Sequence, residues 1–356
     1  MINIPFSTYI STLEHDCLAI DPGFSLGSRV CLLSSHKVLF ANQSSIYTVS
    51  LTPASFSSND ILKLRSLPSF PSSSSQFNLT YTVSGQICHM SAHKQNDHEH
   101  LILATTTTGN VHLLSLNSSI SLLKTFSVPC SFPNFHSAIF LHDYIIVSSL
   151  LAKSVSVFSH DGSLIKSIPF LEPVNAICPS SSKNVFFVLE HGHVNCVDLS
   201  SPKLVKKRLF VCFDGLYCMC LSPNGNQLAI SGKSRNLNII DTSRLSVSQR
   251  IKNVTKYEVV NLRWSHINPC LVIMTSLDNE LSVCNVTSSQ SGFSKRSLKN
   301  SVLSFGGRLV GLDVVGDEAA CLSGDGTLSV VSNVSLMGGD KVEVKTGEPS
   351  IKKARV

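Results

Sequence analysis

The sequence predicts an all-β chain closed into one ring of seven four-stranded blades. Three observations carry that expectation. The chain runs as short β-branched and aliphatic stretches bounded by polar turns, with almost no sustained helical period. These stretches recur at the spacing of about 40 to 45 residues that marks a propeller blade. Finally, 356 residues that are 43% hydrophobic and only 15% charged can bury enough apolar surface to offset the entropy of ordering, which excludes a chain without a core.

The clearest blade is Leu216 to Asp241, LYCMCLSPNGNQLAISGKSRNLNIID. It reads as an apolar strand, a Ser-Pro-Asn-Gly turn, a second strand, a polar turn and a third strand ending in Asp, which is an antiparallel meander. Val259 to Asn285 repeats the frame with Trp264, Asp278 and Asn285, and Leu309 to Ser332 repeats it again. The polar residue that ends the third strand serves as a ruler. It falls at Ser50, Ser115, Ser159, Asp198, Asp241, Asn285 and Ser332, with later steps of 39 to 47 residues and a first step of 65. The excess in the first step coincides with the Ser/Pro-rich stretches between Ser55 and Gln76, so a loop insertion is expected at about 54–76. The expected organisation is a propeller over 1–345 and a flexible basic tail over 346–356. Closing the ring requires an added outer strand, expected from Ile2–Ile10 or Lys341–Lys345.

This frame resembles that of WD40-repeat β-propellers, over about Cys17 to Val331. The family's Trp position at the end of the third strand is held by Val49, Leu114, Phe158, Val197, Ile240, Cys284 and Val331. The turn Asp is present at Asp278 and Asp325, while Thr108, His191 and Ser234 stand there in other blades. With few polar marks, the blades are expected to hold together by apolar packing between sheets. The resemblance implies a non-catalytic scaffold, a subunit that presents loops and one flat face to other proteins of a complex.

Charge and motif content narrow the other classes. Lys and Arg number 29 against 23 Asp and Glu, a net charge of +6, which is compatible with an acidic or nucleic-acid partner. One basic cluster, Lys203, Lys206, Lys207 and Arg208, is placed on or beside an outer strand. There it would contact RNA phosphates or an acidic protein, or else blunt an exposed sheet edge. A second, Lys352, Lys353 and Arg355, resembles a short nuclear-localisation signal, so the expected location is nucleus or cytoplasm, with an RNA-related nuclear complex as the favoured setting. Direct RNA binding through the outer strand is the alternative function, and a propeller enzyme is the third.

No catalytic, cofactor or metal site is expected. The group Cys88, His89, His93, Asp97, His98, Glu99 and His100 is rich in ligand types, yet its spacing matches no Cys/His signature and it reads as a polar turn between the first two strands of a blade. The same holds for His191 and His193 around Gly192. Cys218 and Cys220 alternate along one strand, so both thiols share a face, expected to pack on the next blade. No Gly-x-Ser-x-Gly elbow or Gly-rich phosphate loop occurs. The 12 cysteines are dispersed without a Cys-x-x-Cys pair, as expected for reduced, buried thiols of an intracellular protein. The longest apolar run, Ala138 to Ala152, is interrupted by His142 and Asp143 and is too short to span a bilayer, and Met1 to Asp16 shows no signal-peptide pattern. No membrane or small-molecule partner is therefore expected.

Overall fold

The computed structural model describes residues 29–34, 37–42, 44–50, 64–66, 77–96, 99–129, 135–149, 152–201, 204–286, 301–305, 308–324, 328–332 and 334–335. Strand begins wherever β-branched and aliphatic residues alternate, and the chain turns where Gly, Asn, Asp and Ser gather. The first blade starts with β1 (Val30–Ser34), β2 (Lys37–Asn42) and β3 (Ser45–Ser50), then the chain leaves it for β4 (Leu64–Ser66) and returns as β5 (Phe77–Thr82). The second blade is β6 (Ile87–Lys94), β7 (His100–Thr106), β8 (Asn110–Leu116) and β9 (Ile120–Ser127). The third is β10 (Phe135–Leu141), β11 (Tyr144–Ser149), β12 (Ser154–Ser159) and β13 (Leu164–Pro169). The fourth is β14 (Val174–Pro179), β15 (Val185–Glu190), β16 (His193–Asp198) and β17 (Val205–Phe210). The fifth is β18 (Leu216–Leu221), β19 (Gln227–Gly232), β20 (Leu237–Asp241) and β21 (Ser246–Ile251). The sixth is β22 (Val259–Trp264), β23 (Leu271–Ser276), β24 (Glu280–Asn285) and β25 (Ser301–Ser304). The seventh takes β26 (Leu309–Val315), β27 (Glu318–Ser323) and β28 (Leu328–Ser332), with β4 as its outer strand.

The chain is thus a seven-bladed β-propeller, and the third-strand ruler falls at or within one residue of the end of β3, β8, β12, β16, β20, β24 and β28. Ring closure differs from expectation. Ile2–Ile10 and Lys341–Lys345 lie outside the described residues, and the fourth strand of the last blade is β4, pairing Ser66, Arg65 and Leu64 with Ser329, Val330 and Val331. The segment expected to be only a loop insertion therefore contains a strand. The physical reason is the unpaired edge that β28 would otherwise present. The tail over 346–356 also lies outside the described residues.

The core sits between blades and not on the axis. Seven hydrophobic clusters each join two adjacent blades, and together they run all the way round the ring. Stacking each sheet on the next removes both faces from water, as a lone blade cannot do. Six of the seven inner strands carry an extra residue near their start, at Cys88, His136, Asn175, Tyr217, Val260 and Val310. Outer strands carry one at Thr80, Leu123, Ile165, Lys206 and Ser248. Such bulges add local twist, which lets each sheet rotate strongly from axis to rim. Among the described residues no helix is long and apolar enough to cross a membrane.

Because strands alternate in direction, the loops that precede each inner strand share one face of the ring with the turns between second and third strands. That face is called here the entry face.

Candidate protein-interaction face

On the axis, one equivalent position of each inner strand builds a single layer: Cys31, Ser91, Ile139, Cys178, Cys220, Arg263 and Asp313, which line a cavity of about 240 Å³. Its polar groups are spent between blades. Arg263 Nε donates to Asp313 Oδ1 at 3.0 Å, and Asp313 Oδ2 accepts from the Leu32 amide at 2.8 Å, so three blades meet at one carboxylate. Burial is the largest single influence on Arg263 and works against its charge, but the neighbouring groups, Asp313 first among them, together outweigh it and hold the guanidinium protonated. Ser91 Oγ donates to the Ala138 carbonyl at 2.7 Å, and Asn175 Nδ2 to that of Leu216 at 2.5 Å. Burial pushes the Cys218 thiol up to about 12 and raises Cys31, Cys178 and Cys220 as well, so these sulfurs stay protonated at neutral pH. Cys218 reaches the Val259 carbonyl of the next blade at 3.8 Å, and both Cys218 and Cys220 belong to the fifth–sixth blade cluster, the packing role their alternation implied.

The basic outer strand is β17. Lys203 lies outside the described residues, as does the side chain of Lys206, whose backbone forms the bulge. Lys207 Nζ donates to the Arg244 carbonyl of the next blade. Arg208 pairs with Glu190 at 3.1 Å, the acid side chain being only 2% exposed and the base 33%. Both side chains are exposed at the rim, and of the two only Arg208 has its charge paired with an acid. The tail residues Lys352, Lys353 and Arg355 are outside the described residues. Of the polar turn near His89, Asp97 and His98 are also outside; His89 and His93 lie on β6 and His100 on β7, where His89 Nε2 contacts the Ala138 carbonyl at 3.2 Å. Among the described residues no three His, Cys, Asp or Glu groups converge as a metal set.

The entry face between the third and sixth blades presents a different group. The loop 211–215 is pinned from several sides: Val211 N to Gly192 O at 2.9 Å, Leu216 N to His191 O at 2.7 Å, Lys233 N to Gly215 O at 2.8 Å, and Arg250 Nη2 to Val211 O at 2.7 Å. Two glycines make that approach possible. A Cβ on Gly192 would stand 2.3 Å from the Cys212 carbonyl, and one on Gly232 would stand 2.3 Å from that of Gly215. At the loop apex Phe213 is 89% exposed. It packs edge-on against Phe210 (4.8 Å between centroids), which packs edge-on against His193 (5.3 Å). This ladder runs from within the fourth blade to a tip in solvent.

Leu171, 70% exposed, and Tyr257, 48% exposed, flank the ladder on the neighbouring loops. Glu190 anchors the Leu171 loop by accepting from the amides of Leu171 and Glu172, both at 3.0 Å, and it also accepts from Asn195 Nδ2 at 2.7 Å. Tyr217, the bulged residue of β18, stands at the cavity wall. Burial, then Glu258 and Asp214 beside it, push its hydroxyl up to about 12.

Sequence reasoning missed this face. The signal that could have exposed it is Phe213 immediately before Asp-Gly, a large apolar residue inside a turn pair that belongs on the surface. No protein-family profile matches the chain, and comparison with curated proteins gives no significant similarity.

Proposed function

We propose that this protein is a non-catalytic platform of the WD40 type, on whose entry face another protein docks. The observation that carries the reading is Phe213: leaving its ring in water forgoes about 2 kcal/mol of burial, and the pinned loop beneath it keeps that ring from folding back. Rigid, exposed aromatics held at low entropic cost are the anchors of protein interfaces. The Ser276 to Asp278 bond of 2.5 Å, a polar pair from the second strand to the following turn, supports the WD40 assignment of the sixth blade. The net charge of +6 and the basic run Lys352, Lys353 and Arg355 are what favour a nuclear, RNA-related assembly over a cytoplasmic one. Direct RNA binding through β17 draws less support, because the charge of Arg208 is already paired with the buried Glu190.

The test is affinity purification of the tagged full chain from its own cells beside a Phe213→Asp variant. The wild type is expected to carry a stoichiometric protein partner that the variant loses while keeping the same thermal unfolding. Recovery of RNA alone, or of the same partner by both proteins, overturns the reading.

A further inference from the structure

The charges around the apolar ladder are unequal. The turns and loops that frame Phe213, with the end of β21, carry six exposed cations: Lys153, Lys233, Arg235, Arg250, Lys252 and Lys256. Three acids share that sector, Glu172, Asp214 and Glu258. Arg208 drops out of the balance because Glu190 pairs with it at 3.1 Å. Further round, the sixth blade adds Asp278 and Glu280 and the loop after it Arg308, which leaves the cations in excess. Where these six cations are held, neutral groups hold them. Arg250 donates to Asn238 Oδ1 at 2.8 Å and to the Val211 carbonyl at 2.7 Å. Arg235 donates to the Lys256 carbonyl at 3.0 Å and to Asn253 Oδ1 at 3.4 Å, and Lys153 to the Leu171 carbonyl at 3.2 Å. The Lys256 ammonium lies 5.3 Å over the Tyr257 ring. Such bonds orient a cation without cancelling its charge, and each guanidinium keeps N–H groups for a further acceptor. Of the acids, Glu258 already accepts from the Tyr217 hydroxyl. All three acids follow an apolar tip directly in the chain, as Leu171-Glu172, Phe213-Asp214 and Tyr257-Glu258, whereas Lys233, Arg235 and Arg250 belong to other segments.

We propose that the entry face around Phe213 binds an acidic protein segment in which a short apolar cluster is flanked on both sides by Asp or Glu. The cluster covers Phe213, Phe210 and Leu171, and the flanking carboxylates meet Lys233, Arg235, Arg250 and the neighbouring lysines. This deepens the platform reading above and rests on it. Apolar contact supplies most of the affinity, while charge selects the partner and speeds its approach. Single-stranded RNA is the competing polyanion, and it fits less well. Its phosphates recur at every nucleotide and so cannot avoid Asp214 and Glu172, and Leu171 offers a base no ring to stack on. A peptide can set its acids over the cations and its apolar groups over the tips.

The experiment uses the full chain and the fluorescence anisotropy of three fluorescein-labelled probes: a synthetic peptide with an apolar Leu-Phe-Leu centre flanked by Glu, the same peptide flanked by Lys, and a short oligouridylate. The Glu-flanked peptide is expected to bind and to weaken as salt is raised. Lys233→Glu plus Lys256→Glu is expected to cost it about tenfold in affinity, whereas Glu172→Gln, which removes a like charge, is expected to strengthen it. Phe213→Ala should weaken it at every salt concentration. Lys124→Glu, on β9 outside this sector, is expected to leave it unchanged. Equal or tighter binding of the Lys-flanked peptide or of the oligouridylate, no binding of the Glu-flanked peptide, or indifference to the double charge reversal overturns the proposal. If the cellular partner is lost with Phe213→Asp but kept by the double charge reversal, the platform reading stands and the charge preference falls.

Discussion

Glu190 shows what one residue contributes to this face. Its buried carboxylate accepts four hydrogen bonds, from two amides of the preceding loop, from Asn195 and from Arg208. Replacing it with Ala leaves those donors without an acceptor and is expected to cost about 2 to 3 kcal/mol. Arg208→Ala should cost less, about 1 to 2 kcal/mol, because Arg208 is partly solvated and three neutral donors still hold the acid. Urea denaturation of both variants checks the order, and the reverse order would be inconsistent with the geometry. His112 sets a pH dependence. It is buried on β8, Nδ1 lies 3.0 Å from Thr125 Oγ1, and Nε2 has no partner among the described residues. Burial lowers its pKa from the ordinary 6.5. The unfolded chain therefore takes up the proton first as pH falls. The stability that neutral His112 supplies is complete above the unfolded value and drains as pH drops from there toward the folded one. His93 and His100 are shifted the same way by burial first. The urea midpoint is expected to fall between about pH 7.5 and about pH 5.5, and the fall should be smaller in His112→Asn. An unchanged slope in that variant would remove His112 from the explanation. None of these partners is legible in the sequence, because Glu190 and Arg208 meet only through the register of β15, β16 and β17.

At the scale of elements, strand identity was legible and strand placement partly so. Alternation and turn residues locate the third strand of every blade, since each needs a buried run ended by a polar residue. The three-residue β4 was not read, because Ser and Pro on both sides dominate its composition. The local signal was present in Leu62-Lys-Leu64-Arg65, which alternates apolar and basic side chains. The entry-face loops follow another rule: their shape depends on small residues where backbones cross. Gly192→Ala should drive a methyl group into the Cys212 carbonyl, costing about 1 to 3 kcal/mol and displacing the loop that displays Phe213. Thermal unfolding and binding of the partner should therefore both suffer, whereas Phe213→Ala should reduce binding alone. Equal melting temperatures for Gly192→Ala and wild type would contradict the close approach.

For the whole molecule, seven inter-blade clusters make stability a property of the closed circle, so the seam deserves the sharpest test. Arg65 pairs with Val330 at the centre of the three-residue seam. Proline at position 65 removes an amide and restricts the strand, which is expected to cost about 3 kcal/mol. A larger effect on the cooperativity of urea unfolding is expected than from a proline in a solvent-facing turn, and an unchanged transition would show that the seam contributes nothing. The same seam bears on synthesis. β4 is made well before β28, with the second to sixth blades between them in the chain, so their pairing gives the fold an unusually non-local contact. Six blades can stack in the order they are made, but the first must wait with one flank uncovered until the seventh arrives. The nascent protein therefore passes through an open, sticky arc, and its yield in cells should depend on chaperones at that stage more than its equilibrium stability would suggest.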